Sequence, residues 1–168
     1  MNWFISFLRI ITCAFVPLCG KGPQVGDQAP ELGLHDELGI LRKLSDYKDK
    51  TIVLYFYPKD DTPGCTKQAC TLGQRYTEFE KLGAIVLGVS YDSLVSHRKF
   101  KKKYNLPFTL LSDSQKKLTK AYGVKSWLWL MPKRSTFVIK NGKIIWRRDN
   151  VDVTTHTNEV LQAIQHVA

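Results

Sequence analysis

The chain has no Cys-x-x-Cys pair, so the commonest motif of thiol–disulfide exchange is missing. Its four cysteines are Cys13, Cys19, Cys65 and Cys70, and its four histidines are scattered. Neither set has zinc-ligand spacing, so no metal site is expected. No apolar run reaches the roughly 20 residues that a spanning helix needs. Trp3 to Leu18 comes nearest, but Ser6, Arg9, Thr12 and Pro17 interrupt it. Internal repeats and low-complexity segments are absent too, so nothing points to a repeat array. Acidic residues are few, 15 against 25 basic ones, for a net charge of +10. That balance permits attraction to nucleic acid, anionic lipid or an acidic protein surface, and says nothing of fold. The densest basic run, Arg98 to Lys103, falls on a helical pattern and reads as a solvated face, so no nucleic-acid partner is expected.

A length of 168 residues suits one domain with a real core. Residues 1–21 stand apart as a signal-like or membrane-anchor segment with the start of a linker, and residues 22–168 form the domain. Arg9 would close the charged region of a signal peptide and Ile10 to Leu18 would be its apolar core. An anchor and an unprocessed extension are the alternatives. Cys19 before Gly20 suggests a lipoprotein cysteine, although Pro17-Leu18 departs from the small residues usual there. Membrane association through residues 1–20, or export, is expected ahead of a cytoplasmic location. Gly22 to Pro30, with its glycines and prolines, reads as a linker.

The domain is organised around Tyr57-Pro58-Lys59-Asp60-Asp61-Thr62-Pro63-Gly64-Cys65-Thr66-Lys67-Gln68-Ala69-Cys70. Before it, Ile52 to Tyr57 is short, aromatic and β-branched, the mark of a buried strand. After it, Ala69, Leu72, Tyr76 and Phe79 recur at helical spacing, with Gly83 as the stop. Cys65 therefore falls in or just before the first turn of a helix, where unpaired N–H groups and the macrodipole favour a thiolate. Thr62, three residues earlier, puts a hydroxyl within reach of the sulfur or of a bound oxygen.

The word Pro58-x-x-x-Thr62-x-x-Cys65 resembles the active-site signature of the peroxiredoxins, and Tyr57 to Thr66 resembles its bacterioferritin-comigratory, or Q-type, branch. The resemblance runs from about Val25 to the C-terminus. It implies a thioredoxin-like α/β fold, a central mixed sheet flanked by helices. It implies that Cys65 is the peroxidatic cysteine, that Thr62 and a distant arginine hold the peroxide, and that Pro58 shields the site. Arg134 opens the strand Ser135 to Ile139 in an Arg-x-Thr-Phe match to the arginine-bearing strand, with Lys133 the adjacent alternative. In the Q-type branch the resolving cysteine often lies where Cys70 stands. Five residues of helix rise about 7.5 Å and turn about 140°, so a Cys65–Cys70 disulfide needs the helix to unwind.

Elsewhere, Leu32, Leu34, Ile40, Leu41 and Leu44 around Asp36-Glu37-Leu38-Gly39 read as a hairpin, and Ala84 to Ser90 as a second buried strand. Asp92 or Ser93 can cap a helix over Leu94 to Tyr104, in which His97 reads as a surface residue. Asn141-Gly142 predicts a type I′ turn into Lys143 to Arg148, and Thr155 can cap a last helix. Trp127-Leu128-Trp129-Leu130-Met131 replaces a longer glycine-containing loop of the family. Its aromatics, Trp127 and Trp129, either pack over the core, the preferred reading, or line the mouth of the site.

The expected function is reduction of hydrogen peroxide and organic hydroperoxides through a cysteine sulfenic acid and an intramolecular disulfide. Thioredoxin or a similar dithiol is the expected recycling partner; no cofactor is expected, and a monomer is preferred to a dimer. Two other classes stand beside it. An exported protein thiol–disulfide exchanger would consume little peroxide. A basic binding or chaperone module on the same fold would show salt-sensitive retention on DNA and no turnover.

Overall fold

The protein was analysed as a computed structural model, which describes residues 22–126, 128 and 130–166. The apolar segment 1–21, with Cys13 and Cys19, lies outside the described residues. Among the described residues no helix is long and apolar enough to cross a membrane.

The first hairpin, β1 (Leu34–Asp36) and β2 (Leu41–Arg42), forms where the Asp36–Gly39 turn was predicted. Asp36 fixes that turn: its carboxylate accepts from the Leu38 and Ile40 N–H groups and pairs with Arg42. A 3-10 turn over Leu44–Tyr47 leads to β3 (Thr51–Phe56). Then come α1 (Pro63–Gln74), α2 (Tyr76–Lys81), β4 (Ala84–Ser90), α3 (Leu94–Tyr104), β5 (Thr109–Ser112) and α4 (Lys117–Ala121). The chain closes with β6 (Ser135–Lys140), β7 (Lys143–Asp149) and α5 (His156–Gln165). Asn141 and Gly142 both take positive φ between β6 and β7, as a type I′ turn requires.

The seven strands make one mixed sheet in the order β2-β1-β5-β4-β3-β6-β7. β3 runs parallel to β4 and antiparallel to β6. It is buried along its whole length, so its residues alternate between two cores. Val53, Tyr55 and Tyr57 face Leu72, Phe79, Phe100 and Leu161, on the side covered by α1, α2, α3 and α5. Ile52, Leu54 and Phe56 face Leu87, Leu118, Tyr122 and Phe137 on the other side. The sheet with helices on both faces is the thioredoxin-like sandwich anticipated.

Three expectations need correction. The helix after Cys65 is not continuous to Gly83: it breaks at Arg75, whose φ of −108° is not helical, and restarts as α2. Gly22 to Pro30 is not a free linker. Gly26 N–H donates to the Ile144 carbonyl, Ala29 N–H donates to the Gly142 carbonyl, and Arg147 donates to the Gly22 and Pro23 carbonyls. A Cβ on Gly22 would lie 2.0 Å from the Tyr122 carbonyl oxygen, so only glycine fits where this strap starts. His97 is not on the surface, because it shares the inner stripe of α3 with Phe100 and is fully buried.

The tryptophan loop lies between Lys125 and Pro132. Backbone pairing between Lys125 and Pro132, and Ser126 N–H donating to the Met131 carbonyl, close it at its base. Leu128 and Leu130 are 68 % and 70 % exposed and Met131 is 42 % exposed. The expectation for the aromatics falls on Trp127 and Trp129, which lie outside the described residues.

Candidate active site

β3 ends at the sheet's centre, and Tyr57 to Thr62 crosses from its end to the start of α1. Two consecutive carboxylates hold this crossing. Asp60, buried, accepts from the Tyr57 hydroxyl at 2.7 Å and the Ser96 hydroxyl at 2.8 Å. Its other buried neighbour is the His97 ring, with Nδ1 2.9 Å from Asp60 Oδ2. His97 Nε2 faces the Leu111 carbonyl at 3.2 Å, so that nitrogen carries a hydrogen. Asp60 N–H is itself held by the Asp92 carboxylate at 2.9 Å. Asp61 takes a left-handed φ of 56° and accepts from Lys103 at 2.7 Å and the Tyr104 hydroxyl at 2.6 Å. Together they fix the loop to both ends of α3.

Thr62 is the N-cap of α1, with Pro63 at the first helical position, where no N–H is needed. Thr66 N–H reaches the Thr62 carbonyl at 2.8 Å, so Cys65 sits in the opening turn at the positive end of the dipole. The sequence placed it there. Thr62's hydroxyl does not touch the sulfur; it donates to the Lys59 carbonyl at 3.1 Å. Pro58 is half-buried in the crossing.

Cys65 is 2 % exposed, and its sulfur accepts from Arg134 Nη2 at 3.4 Å. Arg134 arrives from just before β6, 69 residues later in sequence, because β6 pairs with β3 so that Ser135 lies opposite Phe56. A guanidinium only donates, so the sulfur must accept, and a thiolate is the better acceptor. Gly64 leaves room for this approach: a Cβ there would lie 3.3 Å from Arg134 Nη2, a tight contact. Lys133, the alternative cation, is engaged through its backbone with Val124.

Sequence reasoning missed the support behind Arg134. Its Nη1 donates to Gln68 Oε1 at 2.5 Å, and Gln68 Nε2 lies 3.1 Å from His156 Nδ1. His156 Nε2 lies 2.8 Å from the Thr136 hydroxyl. All three uncharged partners are buried. Burial, and then the charge of Arg134, push the imidazole down to about 4, so it is neutral near pH 7. A buried position for Gln68 was readable from its helical spacing to Leu72, but its partner lies 88 residues away.

Cys70 does not join this group. It lies half-buried beside a cleft of about 270 Å³ that Gly73, Gln74, Tyr104, Asn105 and Leu106 also line. Burial raises its thiol above the usual range, so it is protonated near neutral pH. Another hollow, of about 280 Å³, lies at the far end of β3 around Ile52 and Ile139, away from both thiols. Among the described residues no cluster of three or more His, Cys, Asp or Glu side chains is placed to hold a metal ion.

Residues 25–147 match the AhpC/TSA family. Peroxiredoxin Bcp of Bacillus subtilis (strain 168) is 45 % identical over 158 residues, covering 86 % of this chain and 97 % of that protein. Chloroplastic peroxiredoxin Q of Oryza sativa subsp. japonica is 45 % identical over 151 residues, covering 88 % of this chain and 69 % of that one. The crystal structure of peroxidoxin BcpB from Mycobacterium tuberculosis superposes with a TM-score of 0.82 at 33 % identity, over 87 % of this chain and 99 % of that one. With a buried thiol at a helix N-terminus, an arginine on its sulfur and a bacterial relative aligned along almost its whole length, the chain belongs to the AhpC/TSA family, as a peroxiredoxin of the Q, or Bcp, branch.

Proposed function

We propose that this thiol peroxidase reduces hydrogen peroxide and organic hydroperoxides at Cys65. The observation that carries the reading is the Arg134 guanidinium on the Cys65 sulfur, at 3.4 Å. The Cys65 thiolate attacks the terminal peroxide oxygen. An S–O bond forms as the O–O bond breaks, and the leaving oxygen takes a proton to become water or alcohol. The sulfur is oxidised to a sulfenic acid and the peroxide is reduced. Negative charge moves from sulfur onto the two oxygens, and Arg134 stands where it can follow that charge. The Thr62 hydroxyl, its proton committed to Lys59, keeps lone pairs to accept a peroxide O–H. Pro58, in the motif that the family shares, is the residue we assign to shielding the thiol.

Cys70 then attacks the sulfenic sulfur, releasing water and leaving a Cys65–Cys70 disulfide. A dithiol reductant of the thioredoxin class returns both to thiols by exchange. The opening turns of α1 must unwind for this step. Unwinding also exposes Cys70 and removes the burial that raises its thiol.

Stopped-flow peroxide reduction by Cys65→Ser is the test. Turnover should vanish, since a hydroxyl is a far weaker nucleophile than a thiolate. Retained turnover would place the chemistry at another thiol.

A further inference from the structure

The Gln68–His156 contact joins α1 to α5 across the buried side of the site, and its hydrogens can be assigned. Arg134 has only donors, so the Gln68 atom facing it is the amide oxygen. The Gln68 nitrogen therefore faces His156 Nδ1 and donates to it at 3.1 Å. Nδ1 is then bare, the ring's one hydrogen sits on Nε2, and Nε2 donates to the Thr136 hydroxyl at 2.8 Å. A protonated ring would set one N–H against another, in agreement with the downward shift of its pKa to about 4. Thr136 is fixed in the sheet, paired with Tyr55 of β3. The order of support therefore runs from sheet to Thr136, to His156 on α5, to Gln68 on α1, and from there to Arg134 and the sulfur.

Gln68 also lies between Cys65 and Cys70, inside the stretch that must unwind. Once those turns melt, Gln68 leaves both His156 and Arg134. The same hydrogen bond therefore favours the first chemical step and opposes the second.

We propose that His156 is a positioning residue that holds Arg134 on the Cys65 sulfur through Gln68, and a latch whose release from Gln68 admits Cys70. The second half rests on the catalytic reading above. A tighter latch lengthens the life of the sulfenic acid, in which a second peroxide can oxidise it to sulfinic acid, with the O–O bond of that peroxide broken and water or alcohol released. His156 thereby sets the peroxide level at which the enzyme inactivates itself.

The test compares His156→Leu with His156→Asn, whose side-chain oxygen can accept from Gln68 where Nδ1 does. Stopped-flow fluorescence follows the first step and the disulfide step, and intact-protein mass spectrometry reads overoxidation. In His156→Leu the first step should slow by about five- to tenfold, the disulfide step should quicken by a similar factor, and more peroxide should be needed for overoxidation. His156→Asn should recover most of both changes, which a merely destabilised fold would not. Rates in His156→Leu matching wild type, or Asn no better than Leu, overturn the proposal. Should His156→Leu fail to fold, Gln68→Met removes the relay with the ring in place. The same two shifts are then expected, and unchanged rates overturn it. A wild type without a Cys65–Cys70 link refutes the catalytic reading and the latch with it. The positioning half is then decided by the first step alone, in Leu against Asn.

Discussion

Arg134 and His156 act at the scale of single side chains. Arg134 spans Cys65 and Gln68 with two nitrogens of one planar group, a geometry that a lysine ammonium does not reproduce. Arg134→Ala should leave the fold intact and slow the first step by about 10²- to 10³-fold, the usual cost of losing one preorganised donor. A second-order rate with peroxide equal to wild type would show that the guanidinium is idle. His156 carries a pH signature of its own. Its folded pKa, about 4, lies below the unfolded value of 6.5. Between these values the unfolded chain binds the extra proton, so stability rises with pH. The contribution is complete above 6.5 and is lost as pH falls through 4, an order-of-magnitude effect of about 3 kcal/mol. Urea melts across that range should show a shallower acid loss in His156→Asn than in wild type.

At the scale of the element, α1 is a helix built to open from its N-terminal end. Its first turns hold both thiols, and the break at Arg75 separates it from α2, which stays anchored by Phe79 in the core. The Arg75–Glu78 ion pair, at 2.6 Å, lies beyond the break and need not be disturbed. Oxidation should therefore reduce helical signal and speed amide exchange from Cys65 to Gln74, while β3, β4 and β6 keep their protection. Peptide mapping should find the Cys65–Cys70 link in the same sample. Unchanged exchange over α1 in protein carrying that link would mean that the geometry is met without melting, against the helical separation of the two residues.

Over the whole molecule, the site depends on a sheet packed tightly enough to hold β3 and β6 in register. Gly88, in β4, is a sensitive point. A Cβ there would meet the Tyr55 hydroxyl and Leu110 Cδ2, each at 2.8 Å, and Tyr55 Cζ at 2.9 Å. Tyr55 is 1 % exposed and stacks on Tyr57 with ring centroids 5.3 Å apart, so it has little room to retreat. Gly88→Ala should destabilise the protein by about 1–3 kcal/mol through overpacking. It should also disturb the loop after Tyr57, visible as a slower reaction with peroxide. A melting temperature equal to wild type would show that the core around Tyr55 yields more easily than its packing suggests.

Local pattern sufficed for the elements and for the thiol. The apolar run from Ile52, the prolines of the loop and the helical spacing after Cys65 determined a strand, a crossing and a helix N-terminus, because each follows from neighbours in the chain. Asn141-Gly142 determined its turn for the same reason. Arg134 was legible only through its resemblance to a known motif. Pairing β6 with β3 brings it to the sulfur, and that pairing is a property of the sheet. His97 misled because the lysines and arginine around it dominate composition, whereas burial depends on which face of α3 meets Tyr57. The strap at Gly22 read as linker because glycine and proline mark a turn equally well whether or not a strand edge lies beside it. Gln68 and His156 had no local signal as partners. Their hydrogen bond exists because α5 packs on α1, and only tertiary contact decides which distant polar group satisfies a buried one.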